Sequence, residues 1–196
     1  MNILDYVTVE NIISKKNCNE LIGLTDKQQW SKHWWEYGQQ GLDEMSYEEK
    51  ELDVQFSTVE MQEIINPYIQ TATEIYLDKF SEDDLANTGN KNDGIKMQGL
   101  VTEFTSPRLN KYEVGTKMRK HYDHIHSCFQ DRKGIPVLSF VGVFNDDYEG
   151  GKFLVRDKEY VLKTGDILIM PSVFLYPHEV TEVTKGTRYS FVAWAF

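Results

Sequence analysis

His121, Asp123, His178 and Arg188 carry the chemistry legible in this chain. Two imidazoles and one carboxylate can occupy one face of a non-haem Fe(II) ion and leave positions open for substrate and oxygen. The same donors suit manganese, cobalt or nickel, so affinity alone does not choose the metal. His121 and Asp123 flank Tyr122. Residues two apart in a strand share a face, so both could meet one ion while Tyr122 faces away. His178 must then arrive from another strand. An HxD pair alone reads most simply as a surface pair. Its order before a distant His and a closely following Arg gives it weight. Arg188 follows His178 by ten residues, and its strand face would also carry Ser190 and Val192. A buried guanidinium needs an anionic partner. Two remain open at this level: a dicarboxylate that also chelates the metal, or an internal salt bridge.

His124 and His126 extend the first segment to HYDHIH. That order is not the HxHxDH of a two-zinc hydrolase. Both read as polar loop positions, with support of a metal ligand or contact to substrate as the alternative. His33, among Trp30, Trp34 and Trp35, reads as packing or surface. Phe140, Phe144, Leu154, Ile169 and Trp194 are candidate apolar walls, equally readable as ordinary core. Arg108, Lys111, Lys117, Arg119 and Lys120 face Glu113 alone. They form a solvated strand face or a patch that draws an acidic substrate inward.

These residues need strands to position them, and the second half supplies the pattern. Short apolar runs at 100–105, 108–114, 118–122, 136–144, 152–156, 159–162, 166–170, 178–183 and 188–196 are separated by turn residues. Such spacing predicts a double-sheet jelly roll. The first half is mostly helical. Ile3 to Val9 alternates like a strand. Asn17 to about Trp30 reads as a helix capped near Ser14 or Asn17. Thr58 to Phe80 shows one apolar face at spacings of three and four, with Pro67 expected to kink or divide it. The polar stretch Gly38–Asp53 reads as an exposed loop or short helix and Ser81–Gly99 as a loop, and both are candidate lids. The expected fold class is therefore α+β, mainly β: a cupin-like double-stranded β-helix with N-terminal helices packed on one sheet. It would form a single domain over 1–196, with 1–99 as support and 100–196 as catalytic core.

At 196 residues, with 40% hydrophobic and 13% aromatic content, the chain can bury a sizeable core. Its net charge of −10 argues against bulk nucleic-acid or anionic-membrane binding. Cys18 and Cys128 are the two cysteines, so no disulfide framework is visible. The N-terminus lacks a signal-peptide pattern, and no apolar run reaches the ~18 residues of a membrane span. A cytoplasmic location is the default expectation.

Tyr112-x-x-Gly115-x-x-Met118-x-x-His121-x-Asp123 resembles the YxxGxxYxxHxD segment of the 2-oxoglutarate- and Fe(II)-dependent oxygenases, in their prolyl 4-hydroxylase-like branch. NDDYEGGKF (145–153), KTGDILIMPS (163–172) and HEVTEVTKGTRYSFVAW (178–194) are similar to that branch's later elements. The resemblance spans about residues 100–196. It implies that His121, Asp123 and His178 ligate iron, that Arg188 clamps the far carboxylate of 2-oxoglutarate, and that Tyr112 lines the cosubstrate pocket. It also implies O2 as co-reactant, ascorbate as a supporting reductant, and hydroxylation of a prolyl residue in a protein or peptide. A free amino acid or other small molecule is the alternative substrate. A non-catalytic cupin-like binding module is the alternative class.

Overall fold

The computed structural model describes residues 2–33, 35–36, 45–46, 51–88, 100–123 and 136–196, with backbone only for 35–36, 45–46 and 81–88. The candidate residues His124, His126 and Cys128, and most of the two candidate lids, lie outside this set.

The strands are β1 (Thr8–Asn11), β2 (Ser31–Lys32), β3 (Trp35–Glu36), β4 (Met45–Ser46), β5 (Asp53–Phe56), β6 (Arg108–Tyr112), β7 (Met118–His121), β8 (Leu138–Val143), β9 (Glu149–Gly150), β10 (Phe153–Val155), β11 (Lys158–Tyr160), β12 (Asp166–Pro171), β13 (His178–Val180), β14 (Val183–Lys185) and β15 (Arg188–Ala195). Seven form the major sheet in the order β1-β12-β8-β15-β6-β5-β2. Four form the minor sheet, β11-β10-β13-β7. Pairs β14-β9 and β3-β4 complete the set. The sheets face each other in a jelly-roll-like sandwich.

The major sheet is buried on both faces. Along its central strands, alternate residues answer to different layers. Leu138, Phe140, Ile167, Ile169, Phe191 and Ala193 pack against the helices, whereas Val141, Val143, Leu168 and Met170 face the minor sheet. β8 is therefore buried along its whole length instead of on alternate residues. Gly142 makes this packing possible, because a Cβ there would lie 1.9 Å from Cε1 of Phe191.

Helix α1 runs Lys15–Thr25, with the Ser14 hydroxyl accepting from the Asn17 amide. It stops before the expected Trp30, and its buried residues Cys18, Leu21, Leu24 and Thr25 end with it. Helix α2 spans Val59–Thr88 without interruption. Its buried residues Met61, Ile65, Ile69, Ala72 and Tyr76 recur at spacings of four and three. Fully burying each larger one contributes about 1.5–3 kcal/mol, which holds the helix across Pro67. The segment 81–88, expected as loop, continues α2. Its Glu, Leu and Ala residues are good helix formers despite the polar composition.

Two more expectations change. Ile3–Tyr6 is a 3-10 turn with an Asn2/Asp5 capping box, and the strand begins only at Thr8, pairing with β12. The acidic end of 38–53 is built into the sheet: Glu51 and Leu52 are fully buried, and Asp53 begins β5. Long-range pairing with β6 overrides local polarity there. Among the described residues, no helix is long and apolar enough to cross a membrane.

Candidate metal and anion site

β7 and β13 are antiparallel neighbours in the minor sheet, with His178 directly opposite His121. Asp123 lies two residues past the end of β7, in the bend that follows. The ligand atoms of His121, Asp123 and His178 lie within 4.8 Å of one another. Nε2 of each histidine is 3.6 Å from Oδ1 of Asp123, and the two rings are 4.3 Å apart. Tyr122 turns outward and is half exposed.

The rings are oriented from behind. His121 Nδ1 lies 2.8 Å from the Arg119 carbonyl, and His178 Nδ1 lies 3.1 Å from the Tyr176 carbonyl. A carbonyl only accepts, so each Nδ1 carries the proton and each Nε2 faces inward. Burial pushes His178 down to about 4, against the pull of Asp123, so its Nε2 offers a lone pair at neutral pH. Burial alone would raise the Asp123 carboxyl, but His178, His121 and Ser139 together hold it well below the usual carboxylate range. A buried, ionised carboxylate facing an imidazole lone pair calls for a cation between them. The donor set fits Fe(II).

The second half of the site lies on the inner face of the major sheet. Arg188 opens β15 opposite Tyr112 on β6. It is 1% exposed. Nη1 donates to Ser190 Oγ at 2.8 Å, and the guanidinium lies 4.9 Å from the centre of the Tyr112 ring. Nε and Nη2 are buried with no hydrogen-bond partner among the described residues. These two nitrogens form one edge of the guanidinium, the edge that receives a carboxylate in bidentate fashion. The internal salt bridge left open by the sequence is absent among the described residues. Tyr112 is fully buried, which raises its hydroxyl above the usual range while Arg188 and Arg108 oppose the rise.

A cavity of about 300 Å³ reaches Arg188 between Gly150, Gly151, Phe153 and Tyr160. Gly151 adopts φ +56°, and a Cβ there would press on Val183 and on Cδ of Arg188. None of the three clustered ligand residues lines this cavity. Phe153 joins the two halves, since its ring lines the cavity and lies 5.6 Å from that of His178.

Several alternatives left open by the sequence are decided here. Phe140, Phe144 and Ile169 belong to the helix-facing core, not to the site. Strand parity decides this: with Arg188 and Ser190 inside, Phe191 and its neighbours across the sheet face outward. Leu154 is half-buried between Phe153 and Val155, the two inward residues of β10. Trp194 lies 5.7 Å from the Arg108 guanidinium. The basic stretch is not one patch, because Lys111 is engaged by Glu113 and Asp53 at 2.9 and 3.5 Å. Of the two readings of His33, packing holds. It is buried with Nδ1 3.5 Å from Glu51, and burial lowers it against the pull of that carboxylate. No local signal marked this pair, which long-range strand pairing brings together. Ser139 was also missed, though the parity of β8 would have turned it towards the site.

The model of the 2OG-Fe(II) oxygenase superfamily matches residues 107–196. This match covers β6 to β15, and with them all four site residues. Residues 107–196, just under half of the chain, are thus similar to that superfamily. The chain is also similar to PKHD-type hydroxylases. That of Delftia acidovorans is 32% identical over 104 residues, 48% of this chain and 45% of the relative. That of Prochlorococcus marinus is 32% identical over 132 residues, 61% of this chain and 57% of the relative. The chain thus spans about half the length of the curated relatives it matches. The viral collagen prolyl hydroxylase of Paramecium bursaria Chlorella virus-1, solved with 2OG, has a similar fold at TM-score 0.65 and 15% identity, covering 99% and 98% of the two chains. A prolyl hydroxylase of Trichoplax adhaerens, solved with a hypoxia inducible factor peptide, matches at TM-score 0.66 and 14% identity, covering 98% and 85%.

Proposed function

We propose that this chain is an Fe(II)- and 2-oxoglutarate-dependent dioxygenase that hydroxylates an unactivated C–H bond, with a prolyl residue of a protein or peptide as substrate. The observation that carries the reading is the empty bidentate edge of buried Arg188, in the same interior as the His121–Asp123–His178 cluster. A structural arginine would have a carboxylate partner, and a structural cluster would not aim the His178 lone pair at a buried carboxylate.

His121, Asp123 and His178 would hold the iron. Bound there, Fe(II) supplies the redox chemistry that couples decarboxylation of the keto acid to hydroxylation. Arg188 grips the distal carboxylate of 2-oxoglutarate, and Tyr112 packs against the guanidinium to fix its plane. Phe153 and Val155 exclude water between the two halves. Residues 100–196 form the catalytic core, supported by 1–99. Preference for a prolyl peptide follows the similarity to PKHD-type and prolyl hydroxylases. A free amino acid or other small molecule is the second reading. A reducing cytoplasm suits both Fe(II) and the free thiol of Cys18.

The test is succinate formation that requires Fe(II) and 2-oxoglutarate and is lost in His121→Ala. Mass spectrometry for a gain of one oxygen, on proline-containing peptides and free amino acids in parallel, separates the substrates. Omitting ascorbate measures its contribution to sustained turnover. Absence of both succinate and keto-acid binding would favour the non-catalytic module.

A further inference from the structure

We propose that Tyr160 is a second anion donor beside Arg188, seating the distal carboxylate of the cosubstrate and selecting a dicarboxylic over a monocarboxylic keto acid. The proposal rests on the functional reading above and extends it to a residue that sequence reasoning passed over.

Tyr160 closes β11 and faces inward, directly opposite Phe153 on β10. It is 8% exposed, and its hydroxyl is buried with no hydrogen-bond partner among the described residues. An unpaired buried hydroxyl is costly and uncommon in a folded interior. It lines the same cavity as Arg188, whose Nε and Nη2 are also unpaired. Three donors without acceptors thus border one cavity. A carboxylate satisfies all three: two parallel bonds from the guanidinium edge and one from the phenol, which a carboxylate oxygen still has lone pairs to accept. The walls support this reading. Gly151 leaves room for the arginine stem, since a Cβ there would lie 3.2 Å from Cδ of Arg188, and Phe153 links the seat to the His178 ring, 5.6 Å between centroids. Lys152 is at the cavity wall, engaged with Glu159 at 2.9 Å, so it does not compete for the anion inside.

The experiment measures binding, not turnover. Calorimetric titrations of the Mn(II)-loaded full chain use 2-oxoglutarate and, in parallel, 2-oxobutanoate, which keeps the keto-acid end and lacks the distal carboxylate. Tyr160→Phe should weaken 2-oxoglutarate about tenfold, the loss of one hydrogen bond to a charged group, and leave 2-oxobutanoate unchanged. The Tm of ligand-free Tyr160→Phe should equal or exceed that of wild type, because an unsatisfied hydroxyl has been removed. Equal affinity of wild type and Tyr160→Phe for 2-oxoglutarate, with binding lost in Arg188→Met, would overturn the role of Tyr160 and leave the functional reading standing. A lower ligand-free Tm with equal weakening of both keto acids would show a packing role and overturn it as well. Failure of wild type to bind 2-oxoglutarate at all would remove both readings together.

Discussion

Replacing Arg188 by methionine separates a ligand clamp from a structural cation by the sign of one number. In the ligand-free protein, Nε and Nη2 are buried with no partner among the described residues. Each such group costs about 1–3 kcal/mol. Arg188→Met removes both and keeps a long apolar stem beside Tyr112. Against this stand the lost guanidinium–ring contact, about 2 kcal/mol when desolvated, and the Ser190 oxygen left without its donor, about 1 kcal/mol. The balance is a gain of about 1 kcal/mol, or a Tm rise of about 2–4 °C for a chain of this size. Were the arginine instead one half of a buried ion pair, breaking it would cost about 3–5 kcal/mol and lower Tm by ~10 °C. Differential scanning calorimetry of the ligand-free proteins reads the sign directly. The same instrument reads the clamp. Saturating 2-oxoglutarate at 100 times its Kd should stabilise wild type by about 2.7 kcal/mol and leave Arg188→Met unmoved. A steep loss of ligand-free stability, or an undiminished response to 2-oxoglutarate, would refute the reasoning.

Gly142→Ala places a methyl 1.9 Å from the Phe191 ring. It should destabilise by about 3 kcal/mol through overpacking. Adding Phe191→Leu should recover much of that loss, and urea denaturation of both variants would reveal strict additivity if the contact were irrelevant. Burial pushes the Cys18 thiol up to about 11 from an ordinary value near 9. Below pH 9 both folded and unfolded chains hold the proton, and Cys18 adds no pH dependence. Between pH 9 and 11 only the unfolded chain releases it, so stability should fall with rising pH by about 3 kcal/mol from this group. Cys18→Ala should flatten that window relative to wild type in urea melts at pH 8 and pH 11. Parallel curves would exclude the thiol as the source.

The candidate site was legible because its residues are type-specific and its spacing is short where it matters. HxD needs only one strand and the bend after it, and the Arg188–Ser190 parity needs only β15. Most of the jelly roll was legible too, since its strands are short apolar runs bounded by turn residues. What the sequence hid is non-local. The His33–Glu51 pair, burial of the acidic end of 38–53, and the inward turn of Tyr160 all depend on which strands pair across long separations. The misplaced walls have a different cause. Phe140 and Ile169 sit on strands apolar on both faces, where hydrophobicity carries no parity. Only the polar Arg188 and Ser190, read across the sheet register, reveal which side is which. Helix α2 outran its expected end because favourable helix formers follow the last buried turn.

That double-sided sheet gives the chain an unusual division of labour. Successive letters of β15 belong to two independent texts, one written to the ligand and one to the scaffold. Arg188 and Ser190 can be exchanged without disturbing Phe191, Ala193 and Ala195, which anchor the helical layer. A lineage built this way can change its diet while keeping its skeleton.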